Sequence, residues 1–135
     1  MDNSSFDFWQ NHSLQFLEMA FRSDKRESLE TPDGYGRQSR ECGDTVEIFL
    51  MVRDGKILSA SFETNGCLYS VACANAVVLM AEGKTLEEAR EISPEHIIDY
   101  LETLPAAESH CARLAVRSLH AALVNIMEPS LEHAR

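Results

Sequence analysis

Two strand-like runs, Thr45 to Val52 and Lys56 to Thr64, stand either side of Arg53-Asp54-Gly55. A glycine free to take a left-handed backbone, set between apolar runs, is a strong signal for a β-hairpin. The register can be argued from the faces it makes. A two-residue Asp54-Gly55 turn sets Val46 against Glu63 and Ile48 against Ser61, which mixes apolar and polar groups on both faces. A three-residue loop with a bulge sets Val46 against Phe62, Ile48 against Ala60 and Leu50 against Leu58. That register makes one continuous apolar face, and buried faces set register, so the second pairing is predicted. In either register Cys42 and Cys67 finish at the same open end of the hairpin.

The apolar face needs a cover, and the rest of the chain reads as helices. From Leu68 to Ala81 almost every residue is apolar or small, which predicts a helix covered on most sides and ending at Gly83. The uncharged run from Thr64 to Ala81 approaches a short membrane span, but Asn65, Gly66, Ser70 and Asn75 interrupt it, so a buried central helix and no membrane role are expected. Thr85-Leu86-Glu87-Glu88 is a capping box that opens a short helix. Ser93-Pro94 places a cap and a first-turn proline before a helix through Leu104. After the break at Pro105, Cys111, Leu114, Ala115, Ser118, Leu119, Ala122, Leu123 and Ile126 recur at helical spacing, predicting a long amphipathic helix that stops before Pro129.

At the other end, Asn3, Ser4 and Ser5 offer caps before Phe6, Trp9, Phe16, Leu17, Ala20 and Phe21, an approximately helical pattern ending near Arg22. Ser23 to Arg40 is polar and rich in turn formers, and predicts a loop with one short strand around Tyr35 to Arg40. Asp33-Gly34-Tyr35-Gly36 is too short and poorly placed to cradle phosphate. A chain of 135 residues is one domain, here divided into an N-terminal helix (1–22), a loop (23–40), a core carrying the candidate site (41–127) and a tail (128–135).

Twenty-two Asp and Glu against 12 Lys and Arg set the formal charge at −10. A nucleic-acid-binding face needs a dense Lys/Arg stripe to displace counterions, and none is visible. Partners are expected to be proteins or cations. The opening residues lack the basic and apolar regions of an export signal, so a cytoplasmic location is expected. Four cysteines in a reducing compartment are then thiols awaiting a metal, a reaction or a core rather than a disulfide framework.

Three short clusters could carry chemistry: Cys42-Gly43-Asp44, Gly66-Cys67 and His110-Cys111. Thiolate sulfur, imidazole nitrogen and carboxylate oxygen together suit zinc, or iron in a sulfur cluster. Gly43 and Gly66 sit beside ligand candidates and leave room for an ion. Each cysteine also has a plainer reading as a small buried apolar residue. Cys73 fits that reading, since it lies about 9 Å along the helix from Cys67 and on a different side. His12, His96, His120 and His133 have no acidic or thiol cluster near them and read as solvated or partly packed. A catalytic Cys/His pair is the rival hypothesis, but helical neighbours point about 100° apart, which places His110 badly to deprotonate Cys111. No nucleophile elbow, P-loop or dinucleotide fingerprint occurs.

Taken together, Cys42-Gly43-Asp44, Gly66-Cys67, Gly83-Lys84-Thr85-Leu86-Glu87-Glu88-Ala89, Leu104-Pro105 and His110-Cys111-Ala112 resemble the U-type iron-sulfur cluster assembly scaffolds, IscU and the N-terminal domain of NifU. The resemblance covers roughly Asp33 to Met127. It implies a compact α+β fold, with a small mainly antiparallel sheet of the hairpin plus a short third strand, and about five helices packed against it. It implies a scaffold rather than an enzyme, a monomer or weak dimer. Such a scaffold receives sulfur from a cysteine desulfurase, binds iron, builds a transient 2Fe-2S cluster and passes it to apo-proteins. Cys42, Cys67 and Cys111 would be thiolate ligands, Asp44 or His110 would complete the set, and Cys111 would accept the persulfide. A hard carboxylate holds a soft cluster less firmly than a thiolate, so Asp44 should ease release.

The chain also departs from the family pattern. Leu104-Pro105-Ala106-Ala107-Glu108 replaces a Leu-Pro-Pro-Val-Lys segment read by an Hsp70 chaperone, with a negative charge in the lysine's place, which argues against that partner. Ser23-Asp24-Lys25-Arg26 stands where the family has Asn-Pro-Arg-Asn. The Cys67 to Cys111 separation leaves no room for the insertion of the zinc-dependent SufU branch, which disfavours a SufU-like persulfide acceptor that holds zinc and no cluster. A module used only for protein contacts has no chemical need for all five candidate groups. Zinc suits the same ligands and is expected to compete for them in purified protein.

Overall fold

A computed structural model describes residues 12–41 and 43–127 of the chain. Strands β1 (Gly34–Ser39), β2 (Thr45–Arg53) and β3 (Lys56–Thr64) form one antiparallel sheet in the order β1-β2-β3. Among the described residues there are five α-helices: α1 (Leu14–Phe21), α2 (Leu68–Ala81), α3 (Leu86–Arg90), α4 (Pro94–Leu101) and α5 (Ser109–Met127). A 3-10 turn, Ala106–Glu108, leads into α5. The architecture is the α+β class expected from the sequence.

The hairpin forms where predicted but in a different register. Asp54 (φ 54°) and Gly55 (φ 76°) both take left-handed backbone and make a two-residue turn, with Arg53 opposite Lys56. This pair of conformations matches the twist of the strands it joins. A bulge then falls between the pairs Val52–Ile57 and Met51–Ser59, leaving Leu58 without a partner. Beyond it Val46 faces Thr64, Ile48 faces Phe62 and Leu50 faces Ala60. Neither predicted register is right. The apolar face survives because the bulge restores the parity that a two-residue turn alone would lose. Leu58, expected on that face, is instead 61% exposed.

Helices α2 and α5 cover this face, against buried Val46, Ile48, Leu50, Ala60 and Phe62. Gly34 and Gly36 of β1 allow α5 its close approach: a Cβ on Gly36 would sit 2.1 Å from the Ser118 carbonyl oxygen and 2.4 Å from the Ala122 nitrogen. Buried Ser118 donates to the Val46 and Leu114 carbonyls at 3.0 Å each, so the polar group ties helix to strand. In α2, buried Asn75 donates through Nδ2 to the carbonyls of Met19 (2.7 Å) and Arg22 (2.9 Å), holding the C-terminal end of α1. Residues 25–27 pair with the outer edge of β3, Phe62 N to Lys25 O at 3.0 Å and Glu27 N to Phe62 O at 2.9 Å. An edge strand paired in this way offers less of a template for a second chain.

Other boundaries hold with local differences. The Thr85 capping box and the Ser93 cap with Pro94 are present. Helix α4 ends at Leu101, three residues early, because Glu102 turns left-handed at φ 63°. The following Pro105 disfavours helical backbone at Leu104. Helix α1 ends at Phe21 with Arg22 as its cap, as expected, but starts at Leu14 under a Ser13 cap. The helix predicted from Phe6 is therefore not helical at residues 12–13, and its earlier part lies outside the described residues. The caps proposed at Asn3 to Ser5, the tail and Pro129 lie outside the described residues.

Candidate metal centre

At the open end of the hairpin two turns are fastened together by side chains. The Arg40 amide donates to the Asp44 carbonyl (2.8 Å) and the Gly43 amide to the Arg40 carbonyl (2.9 Å), closing a tight loop with Gly43 at φ 103°. Asn65 accepts from the Thr45 amide at 2.8 Å and donates to the Gly43 carbonyl at 3.1 Å. Thr64 donates to the Thr45 carbonyl (2.7 Å) and accepts from the Gly66 amide (3.0 Å). The loop bearing Asp44 is thereby held against the turn bearing Cys67. Asp44 is half-buried, with a carboxylate oxygen 3.8 Å from the Arg40 guanidinium. Cys42, a predicted ligand, lies outside the described residues.

Cys67 is exposed and occupies the N-cap of α2 without a capping hydrogen bond from its side chain. One turn on, Ser70 is buried and its hydroxyl reaches the Cys111 sulfur at 3.6 Å. Gly66 makes room for this, since a Cβ there would lie 2.3 Å from the Ser70 oxygen and 2.6 Å from its Cβ. Cys111, in the first turn of α5, is only 2% exposed. Burial pushes its thiol up to about 11; the Ser70 hydrogen bond opposes the rise, and the charges of Cys67, Glu108 and Asp44 add to it. The Ser70 hydroxyl touches this sulfur, and Ser70 lies one turn beyond Cys67 on the same helix. Cys73 is fully buried in the core, where desolvation holds its thiol well above the usual range.

Glu108, His110 and Cys111 each offer a ligand atom, and the three atoms lie within 4.8 Å of one another. No hydrogen bond joins His110 to Cys111 among the described residues, in keeping with the divergence of helical neighbours. The two side chains can still reach a common ion. Thiol, imidazole and carboxylate donors in one cluster fit zinc or iron. Ser70 and Glu108 are absent from the candidate residues read from the sequence. The available signals were a polar residue three positions after Cys67 in an apolar helix, and a carboxylate two positions before the His-Cys pair. The remaining described histidines have structural places: His12 stacks on Phe16 at 4.6 Å, His96 completes the α4 capping box, and His120 meets the Ile92 carbonyl at 3.1 Å. His133 lies outside the described residues.

A family model described as the NifU-like N-terminal domain matches residues 24–131. An iron-sulfur cluster assembly scaffold protein IscU of Archaeoglobus fulgidus is 36% identical over 98 residues, covering 72% of this chain and 64% of its own length. The chain thus spans just under two-thirds of that relative. The IscU of Haemophilus influenzae is 35% identical over 85 residues, 62% of this chain and 67% of its own. Among solved structures, a putative scaffold protein for the SUF system from Fervidobacterium islandicum superposes with a TM-score of 0.68 at 20% identity, covering 84% of this chain and 97% of that one. The N-terminal part of a NifU-like protein from Brucella abortus gives 0.67 at 20% identity, covering 86% and 94%. These likenesses agree with the α+β architecture. No helix among the described residues is long and apolar enough to cross a membrane.

Proposed function

This chain belongs to the family of NifU-like N-terminal domains, and on that premise we propose that it is an iron-sulfur cluster assembly scaffold. It receives sulfur from a cysteine desulfurase, takes up iron, assembles a 2Fe-2S cluster as its cargo and hands the cluster to apo-proteins. Cys42, Cys67 and Cys111 hold the cargo, and Asp44 or His110 completes the set. The observation that supports this reading is the cluster of Glu108, His110 and Cys111, with the Cys67 helix reaching the Cys111 sulfur through Ser70 and the Asp44 loop pinned to the Cys67 turn. The family resemblance adds Cys42, two residues before Asp44 in the sequence, to the proposed set.

The residues divide the work by chemistry. An acceptor thiolate attacks the outer sulfur of the desulfurase persulfide, a new S–S bond forms, and the desulfurase cysteine leaves as thiolate. Conversion of that sulfur to sulfide takes two electrons from an external reductant. Cys111, the acceptor implied by the family resemblance, is 2% exposed, so the 3-10 turn and the start of α5 must open for the donor to reach it. Asp44 supplies the hard oxygen ligand that lets the finished cluster go.

Anaerobic reconstitution with ferrous iron, cysteine and a desulfurase tests the proposal. The expected result is visible sulfide-to-iron charge-transfer absorption together with acid-labile sulfide. Absence of both, with one tightly held zinc, overturns the scaffold reading in favour of a zinc-bearing persulfide acceptor.

A further inference from the structure

Glu108 closes the 3-10 turn, and His110 and Cys111 follow in the first turn of α5. The Glu108 amide donates to the Pro105 carbonyl at 2.8 Å, which fixes the turn's backbone. Beyond that, the Glu108 carboxylate and the His110 ring have no hydrogen-bond or ion-pair partner among the described residues. Two half-buried polar groups with unused ligand atoms therefore stand beside a buried sulfur, all within 4.8 Å. Ligand atoms on one tetrahedral ion, with bonds of about 2.0–2.3 Å, lie about 3.3–3.8 Å apart. Closing that difference takes movements of about 1 Å, within the reach of side-chain torsions alone.

We propose that Glu108 is itself a metal ligand, and that Glu108, His110 and Cys111 form a mononuclear site for a borderline divalent cation such as Zn2+ or Fe2+, complete without Cys42 or Cys67. Three protein ligands of N, O and S type leave a fourth position open for water or a further ligand, the arrangement of an exchangeable rather than a closed site. The inference deepens the scaffold proposal, on which its meaning as the landing place of cargo iron rests. Iron enters at the carboxylate end, on a hard ligand that suits the ferrous ion before sulfide arrives. Cys67 and Asp44 then meet it from the hairpin side.

The test uses the full chain carrying Cys42→Ser and Cys67→Ser, titrated anaerobically with Co2+ and then with Zn2+ in competition. One equivalent of Co2+ with thiolate-to-cobalt charge-transfer absorption is expected. Adding Glu108→Gln should weaken Zn2+ by at least about tenfold, the loss already typical when only an outer-shell partner is removed. Glu87→Gln, which removes the same charge from an exposed position on α3, should leave affinity unchanged and so separates ligation from net charge. An affinity for Glu108→Gln within about twofold of its parent overturns the proposal. Should the double serine variant fail to melt cooperatively, the same comparison is made in the chain with all its cysteines. Loss of Zn2+ affinity in Glu108→Gln alongside failed cluster reconstitution supports this site while the scaffold reading falls. Normal reconstitution with unchanged Zn2+ affinity overturns this site alone.

Discussion

The two ends of the β2–β3 hairpin are built on different principles. At the closed end, backbone conformation does everything: Asp54 and Gly55 turn left-handed, a bulge follows, and the side chains around them are exposed. At the open end, side chains do the fastening. Asn65 and Thr64 between them make three hydrogen bonds that pin the Asp44 loop to the Cys67 turn, and Thr64 makes a fourth within that turn. The closed end needs only to reverse the chain. The open end must hold the Asp44 loop, the start of the Cys67 helix and the start of α5 together, and no local turn type does that. Cost of substitution and effect on metal should therefore separate cleanly between the ends.

The largest effect is expected from Gly66→Ala. Its new Cβ meets both the Ser70 oxygen and the Ser70 Cβ, and the second contact cannot be relieved by rotating the hydroxyl. Overpacking of this kind costs about 1–3 kcal/mol, a fall in melting temperature of roughly 5–10 °C for a chain of this size. Ser70 also contacts Cys111, so Zn2+ affinity should fall together with stability. Gly55→Ala is the matched change at the other end. Nothing lies within 4 Å of its added Cβ, but φ is +76°, and a left-handed alanine costs about 1 kcal/mol. The melt should shift by a few degrees while Zn2+ affinity stays at the wild-type value. A change in affinity for Gly55→Ala would show that the ends are coupled and break the comparison.

The same division explains what could be read from the sequence. Elements ruled by local rules were legible: the capping boxes, the apolar run of α2, the glycine-bearing turn and the long period of α5. The register failed because two devices act together, a two-residue turn and a bulge, and either one alone gives the wrong answer. The apolar spacing of the first helix hides the break at Ser13, whose cap on Phe16 starts a new helix at Leu14. At the candidate site, the hairpin places the Asp44 loop against the Cys67 turn, as expected, and His110 lies beside Cys111. Ser70 escaped notice because it acts across 41 residues of sequence, and only tertiary packing makes that contact.

Alkaline pH supplies a smaller and more selective probe of the open end. A thiol ordinarily titrates at 9.0, and in the fold Cys111 is pushed up to about 11, chiefly by burial. Between those values the unfolded chain has released a proton that the folded chain retains. Stability falls with rising pH wherever the folded state binds more protons. The contribution is fully present below about pH 9 and is lost as pH climbs through the folded value. Buried Cys73 is shifted in the same direction, so the slope is shared. The metal-free chain should therefore melt at progressively lower temperature above pH 9, and Cys111→Ser should make that decline shallower. Gly55→Ala, distant from any buried thiol, should keep the wild-type slope on a lower baseline. A Cys111→Ser variant with the full wild-type slope would mean that Cys111 keeps its proton no better folded than unfolded, and that the closed packing of Ser70 against its sulfur does not persist in solution. Added Zn2+ should act in the opposite sense, because the ion needs the thiolate and drives the proton off, so its affinity rises over the same interval in which the metal-free fold weakens.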